Sequence, residues 1–97
     1  MIAGFLSTVQ AAIPTVPIAP GVNMPLAGIG TWQYNDSVAG AAVTQALKLG
    51  YTHVDTALGY KNQVGIGKAL AKAFAAKVIT CGELFLVSKI PGGFNTT

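Results

Sequence analysis

Apolar positions in this chain follow two different spacings, and their alternation predicts its architecture. Ala39, Ala42, Val43, Ala46 and Leu47 fall at i, i+3, i+4, i+7 and i+8, the stripe of an amphipathic helix. Asp36 or Ser37 offers that helix an N-cap, and Gly50 follows as its C′ residue. Ile66, Ala69, Leu70, Ala73 and Phe74 repeat the spacing, with Lys68 and Lys72 on the opposite face. Gly65 and Gly67 each weaken this second helix by roughly 1 kcal/mol relative to Ala, and Gly67 is the one expected to permit close packing. Between and around the helices lie shorter segments of strand character. Met24–Tyr34 reads as a short strand with glycines leaving its end, and Tyr51–Ala57 is rich in β-formers. Leu84–Ile90 is nearly all apolar, as expected of a parallel strand buried on both faces.

Strand, helix, strand, helix, strand implies βαβ crossovers and a parallel sheet with three strands side by side. Two parallel architectures compete. A doubly wound nucleotide fold needs Gly-x-Gly-x-x-Gly after its first strand. Gly28-Ile29-Gly30-Thr31-Trp32-Gln33 fails at the third glycine, and Gly65-Ile66-Gly67-Lys68-Ala69-Leu70 opens no strand-to-helix turn. A (β/α)8 barrel instead gathers its chemistry at the C-terminal ends of its strands. The predicted fold is therefore α/β, a partial (β/α)8 barrel with parallel strands. Residues 21–97 form that unit, and residues 1–20 form an apolar, proline-containing extension.

Composition narrows the function classes. The chain has 97 residues, 52% of them hydrophobic and only 9% charged, against about 25% charged in a typical soluble domain. Mean hydropathy is +0.54. No uninterrupted apolar run reaches the roughly 18 residues of a membrane span, and Pro14, Pro17, Pro20 and Pro25 break the uncharged N-terminal stretch. The expected explanation is that the chain is part of a larger structure. The net charge of +3 comes from six lysines and no arginine. Without arginine or interleaved aromatics, Lys61, Lys68, Lys72 and Lys77 read as a solvated helix face and not as a nucleic-acid surface. Cys81 is the only cysteine, which excludes an intrachain disulfide and points to a buried thiol. Residues 1–12 are apolar but lack a basic n-region, so a flexible extension or a mis-called start is favoured over a secretory signal. The default compartment is the cytoplasm.

One constellation carries chemistry. Asp55 and Tyr60 flank the end of the second strand, and Lys89 ends the third. A free tyrosine has a pKa of about 10. A lysine ammonium within roughly 4–6 Å favours the phenolate, and a carboxylate can hold the lysine in place. Together they could push a proton onto a carbonyl oxygen. The bland alternative is a structural ion pair with a neighbouring phenol, since structural networks also perturb ionisable groups. Trp32 is equally a rim-packing residue or a pocket wall.

These residues resemble the aldo-keto reductase family. The resemblance runs through Met24-Pro25, Gly28-Ile29-Gly30-Thr31-Trp32, and Gly50-Tyr51-Thr52-His53-Val54-Asp55-Thr56-Ala57 with Tyr60. It continues through Asn62, Ile66-Gly67-Lys68-Ala69-Leu70 and Glu83-Leu84-Phe85-Leu86-Val87-Ser88-Lys89, covering about residues 20 to 93. It implies a (β/α)8 barrel that reduces aldehydes or ketones with NADPH, without a Rossmann domain and usually without metal. By position, Tyr60 resembles the proton donor, Lys89 the lysine that tunes it, and Asp55 the carboxylate paired with that lysine. Gly30, Thr31, Trp32 and Asp55 resemble residues bordering the cofactor. Gln63 stands where the family usually has an acid, and Thr52 where a basic residue is common. The family's catalytic histidine, on the fourth strand, has no counterpart. His53 is expected to play a hydrogen-bonded structural part inside the barrel.

Such barrels take roughly 250 residues, so this chain supplies about two and a half of the eight βα units. Three functions follow as expectations. The first is the N-terminal part of a carbonyl reductase acting on a small-molecule substrate, inactive by itself. The second is a non-catalytic binding or regulatory fragment whose open strand edges take a protein partner. The third is a truncated gene product.

Overall fold

The computed structural model describes residues 12–92. The questions of a signal segment in residues 1–11 and of the terminal Gly93–Thr97 lie outside the described residues. Among those described, five strands and two helices succeed one another: β1 (Thr15–Ala19), β2 (Val22–Pro25), β3 (Ile29–Gly30), α1 (Asp36–Lys48), β4 (His53–Asp55), α2 (Gln63–Ala75) and β5 (Phe85–Val87). Single 3-10 turns at Leu58–Tyr60 and Cys81–Glu83 precede α2 and β5 respectively.

The last three strands form the predicted parallel sheet in the order β3-β4-β5. Ile29 and Leu86 both lie opposite Val54, while Gly30 and Val87 lie opposite Asp55. Val54 is wholly buried against the helices with Val43, Leu47, Ile66 and Leu70. Strand alternation then turns His53 and Asp55 to the other face of the sheet. The result is an arc of a (β/α)8 barrel that does not close on itself.

Helix ends follow local chemistry. The N-cap of α1 is Asn35, one residue before the predicted Asp36 or Ser37, and its side chain accepts from the Val38 amide at 2.8 Å. Asp36 is thereby free to join the two helices, its Oδ1 accepting from the Gly65 amide of α2 at 2.8 Å. A carboxylate there suits the positive ends of both helices. At the other end of α1, Gly50 sits at φ 101°. Its amide donates to the Leu47 carbonyl and that of Tyr51 to the Ala46 carbonyl, a Schellman motif. The same pattern ends α2, with Lys77 at φ 59° in the position glycine favours.

Four expectations are corrected. Residues 15–25 form an antiparallel hairpin, β1 with β2, turning at Pro20-Gly21 with Gly21 at φ 73°; the single strand expected within Met24–Tyr34 is thereby divided between β2 and β3. Pro17 is tolerated because a two-stranded ribbon is all edge. Second, Gly65 and not Gly67 permits the helix contact. A Cβ on Gly65 would lie 2.2 Å from the Asp36 carbonyl oxygen, whereas one on Gly67 would meet nothing within 4 Å. Third, β5 is not buried on both faces. Leu86 shares Val54's face yet is 50% exposed, because β5 is the sheet edge and no described helix covers it. Fourth, the Cys81 thiol is exposed, lying in a surface turn before β5.

That turn is closed by a capping box. Thr80 Oγ1 accepts from the Glu83 amide while Glu83 Oε1 accepts from the Thr80 amide at 2.9 Å and from its hydroxyl at 2.9 Å. These bonds, the backbone one first, hold the Glu83 carboxyl below the ordinary glutamate value. A depressed folded-state pKa contributes stability above the unfolded value of about 4.3, lost as pH falls through the folded value. Acid titration of thermal stability is therefore expected to lose a small increment below about pH 4.3. In Glu83→Gln that increment should vanish; an unchanged acid limb would remove the box from the account.

Candidate functional site

The C-terminal ends of the three parallel strands bring the predicted trio together. Asp55 ends β4, and Lys89 lies two residues past β5. Tyr60 closes the 3-10 turn that leaves β4. Lys89 Nζ donates to both carboxylate oxygens of Asp55 at 2.8 Å and to the Thr56 carbonyl at 2.9 Å. An ammonium has three N–H donors, and three acceptors surround this one. The same nitrogen lies 5.1 Å from the centroid of the Tyr60 ring. Phenol, ammonium and carboxylate therefore share one mouth. The backbone fixes the lysine's approach: the Thr56 amide donates to the Val87 carbonyl and the Leu58 amide to the Lys89 carbonyl.

The pair is accessible, with side chains 47% and 38% exposed for Lys89 and Asp55. The Asp55 hydrogen bond is the main cause that raises the Lys89 pKa above the ordinary lysine value, with the Tyr60 hydroxyl assisting and partial desolvation opposing. A raised lysine pKa means its stabilising contribution is complete below the unfolded value of about 10.4 and lost only as pH climbs through the folded value. The pair is thus expected to stay intact from neutrality to beyond pH 10 or so. A ¹⁵Nζ titration midpoint for Lys89 at or below that of the other lysines would contradict this.

The loop after β3 forms the opposite wall. Gly30 ends the strand, and a Cβ there would meet nothing within 4 Å. Thr31 is fully buried, its hydroxyl donating to the Asp55 carbonyl at 2.8 Å. That bond ties the ends of β3 and β4 together and leaves Thr31 Oγ1 committed to the protein. Trp32, next in the chain, is 66% exposed, so it stands at the rim and is not packed into it. Gln63, in the place of the acid, donates to Ser88 Oγ at 2.6 Å and links the start of α2 to the segment carrying Lys89.

His53 sits elsewhere. At the first residue of β4, its Nδ1 is hydrogen-bonded to the Pro25 carbonyl at 2.8 Å, and its ring meets Phe85 edge-on at 4.8 Å. The expected structural part is the observed one: it fastens the hairpin to the foot of the sheet, at the end away from Lys89.

One residue that the resemblance includes but to which the sequence assigns no role lies at the centre. Asn62 is fully buried. It accepts from the Thr56 hydroxyl at 2.9 Å and donates to the Thr31 and Tyr34 carbonyls at 2.8 and 3.0 Å. Its place in the resemblance names it without a role, because an asparagine before a helix ordinarily reads as a simple cap.

No family model matches the chain. An aldo/keto reductase of Synechocystis sp. is 45% identical over 74 residues, covering 76% of this chain and 23% of that protein. A protein of Aspergillus terreus named a probable NAD(P)H-dependent D-xylose reductase is 37% identical over 84 residues, 87% of this chain and 26% of its own length. The crystal structure of an aldo-keto reductase of Bombyx mori in complex with NADP superposes with a TM-score of 0.71 at 29% identity, covering 81% of this chain and 28% of that one. The chain thus spans about a quarter of the length of the curated relatives it matches.

Proposed function

Because this chain is similar in sequence and backbone to about a quarter of the length of the aldo-keto reductases it matches, we propose that its mouth is the proton-donating side of an NADPH-dependent carbonyl reductase site. The observation that carries the reading is Lys89 Nζ, gripped by both oxygens of Asp55 and 5.1 Å from the Tyr60 ring centroid. Tyr60 Oη gives its proton to the oxygen of an aldehyde or ketone as negative charge develops there. Lys89 stands beside the phenolate that this leaves and offsets its charge. Asp55 keeps the ammonium from turning away. General-acid catalysis of this kind contributes about 10²–10⁴-fold.

The residues present suit the nicotinamide end of the cofactor. Gly30 leaves open space at the strand end, Trp32 exposes its indole, and the Asp55 carboxylate is half-exposed. NADPH, when bound, supplies the hydride that reduces the carbonyl carbon. Gly30, Trp32 and Asp55 would border it, while Thr31 contributes by binding the two strand ends together.

The only histidine is held at the foot of β4 by Pro25, so no imidazole joins the mouth. By itself the chain is therefore expected to oxidise no NADPH in the presence of an aldehyde. Residues 20–92, substituted for the matching segment of the Synechocystis relative, are expected to support carbonyl-dependent loss of NADPH absorbance. A folded chimera that binds NADPH without turnover would overturn the reading, as would turnover by the chain alone that survives Tyr60→Phe.

A further inference from the structure

We infer that Asn62 is a positioning residue: its buried amide clasps the loop after β3 to the loop after β4, so that Trp32 and Tyr60 face one mouth and Lys89 meets the Thr56 carbonyl. The inference rests on the carbonyl-reductase reading for what the mouth does, but its geometry stands alone.

Three observations carry it. The first is satisfaction. Thr31 and Tyr34 present carbonyls, which only accept, so both amide hydrogens of Asn62 must point at them. The amide oxygen is then left to take the Thr56 hydroxyl. No buried side-chain polar atom among the described residues lacks a partner, and substituting Asn62 would take the side-chain donor from the Tyr34 carbonyl and leave the Thr31 carbonyl only the Tyr34 amide at 3.3 Å.

The second is strain. Gln33, between the two clasped carbonyls, has φ 65°, and Lys61, the residue before Asn62, has φ 57°. Non-glycine residues hold that conformation only where the surroundings over-determine it. Asn62 supplies the contacts that do so on both sides.

The third is reach. Thr56 joins the clasp to the ion pair, its hydroxyl on Asn62 and its carbonyl under Lys89 Nζ. Thr31 likewise joins it to Asp55, whose carbonyl takes the Thr31 hydroxyl. A single buried amide therefore touches both residues that seat the catalytic pair, and it contacts none of the reacting groups itself.

The test uses the full 97-residue chain without ligand, read by NMR. In Thr56→Val one leg of the clasp is cut with shape nearly kept. The Lys89 ¹⁵Nζ midpoint is expected to move down toward that of an ordinary lysine, while exchange protection of Val43 and Val54 amides in the core is retained. Thr56→Ser is expected to restore the midpoint. In Asn62→Asp a carboxylate faces two carbonyls at neutral pH; the Trp32 indole and the Tyr34 amide should lose order there and recover part of it on acidification. Wild-type Lys89 titration in Thr56→Val, or wild-type order of Trp32 and Tyr34 in a folded Asn62→Asp, would overturn the inference. If Asn62→Asp unfolds, Thr56→Val with its Ser control decides the matter. None of these readouts depends on turnover, so an inactive chimera would refute the carbonyl-reductase reading and leave the clasp standing.

Discussion

Tyr60→Phe, placed in the barrel completed from the Synechocystis relative, is expected to lower carbonyl-dependent NADPH oxidation by about 10²–10⁴-fold, the usual contribution of a positioned general acid. The substitution removes one oxygen. The ring that lies beside Lys89 Nζ at 5.1 Å remains, and so does the grip of that ammonium on Asp55 and Thr56. Cofactor affinity, measured by fluorescence titration, should therefore change little while kcat falls. That split separates chemistry from folding, because a collapsed mouth would lose both together. Lys89→Met should also depress kcat, and it should additionally leave the Asp55 carboxylate without its cation. If Tyr60→Phe turns over at the wild-type rate, the phenol is a wall of the mouth and the proton comes from another group.

Gly65→Ala is expected to destabilise the fold, although alanine in place of glycine ordinarily strengthens a helix by about 1 kcal/mol. The new methyl would lie 2.2 Å from the Asp36 carbonyl oxygen and 2.7 Å from its carbonyl carbon and Cα. All three are backbone atoms, so no rotamer relieves the clash. The first turn of α1 must retreat, and the bond from the Gly65 amide to Asp36 Oδ1 goes with it. Overpacking of this kind costs about 1–3 kcal/mol, a hydrogen bond about 0.5–1.5 kcal/mol. Together they outweigh the propensity gain. Gly67→Ala, at a site where a Cβ meets nothing within 4 Å, should instead stabilise by up to about 1 kcal/mol. Urea midpoints of the two variants should therefore move in opposite directions. A shift of the same sign for both would mean that the helices can slide past the contact.

Much of this was legible because the signals were local. The stripes Ala39–Leu47 and Ile66–Phe74 gave both helices, since period 3.6 survives wherever one helix face packs on a sheet. Gly50 marked the end of α1 because its left-handed φ asks for glycine. The end of α2 was silent for the mirror-image reason: Lys77 occupies the same conformation without the residue that announces it. The hairpin was missed because Pro14, Pro17 and Pro20 suppress a strand assignment that an all-edge ribbon permits. Which glycine served the helix contact could not be read at all. It depends on where α1 crosses α2, a fact about two distant segments and not about either one. The trio Asp55, Tyr60 and Lys89 was visible because strand ends in a parallel arc converge. Asn62 was named within the resemblance but its role was not legible, because its partners Thr31, Tyr34 and Thr56 lie 31, 28 and 6 residues away.

β4 is only three residues long, yet it carries His53, anchored to the hairpin, and Asp55, which holds Lys89. Val54 between them belongs to the opposite face. Inserting or deleting one residue here would swap the two faces, driving a carboxylate toward the helices and a valine into the mouth. Evolution can lengthen the Pro20-Gly21 turn or redecorate the lysine-bearing flank of α2 and leave the chemistry untouched. Indels between residues 53 and 55 are closed to it, and that tripeptide is where divergent copies of this chain should agree in length even where they differ in letters.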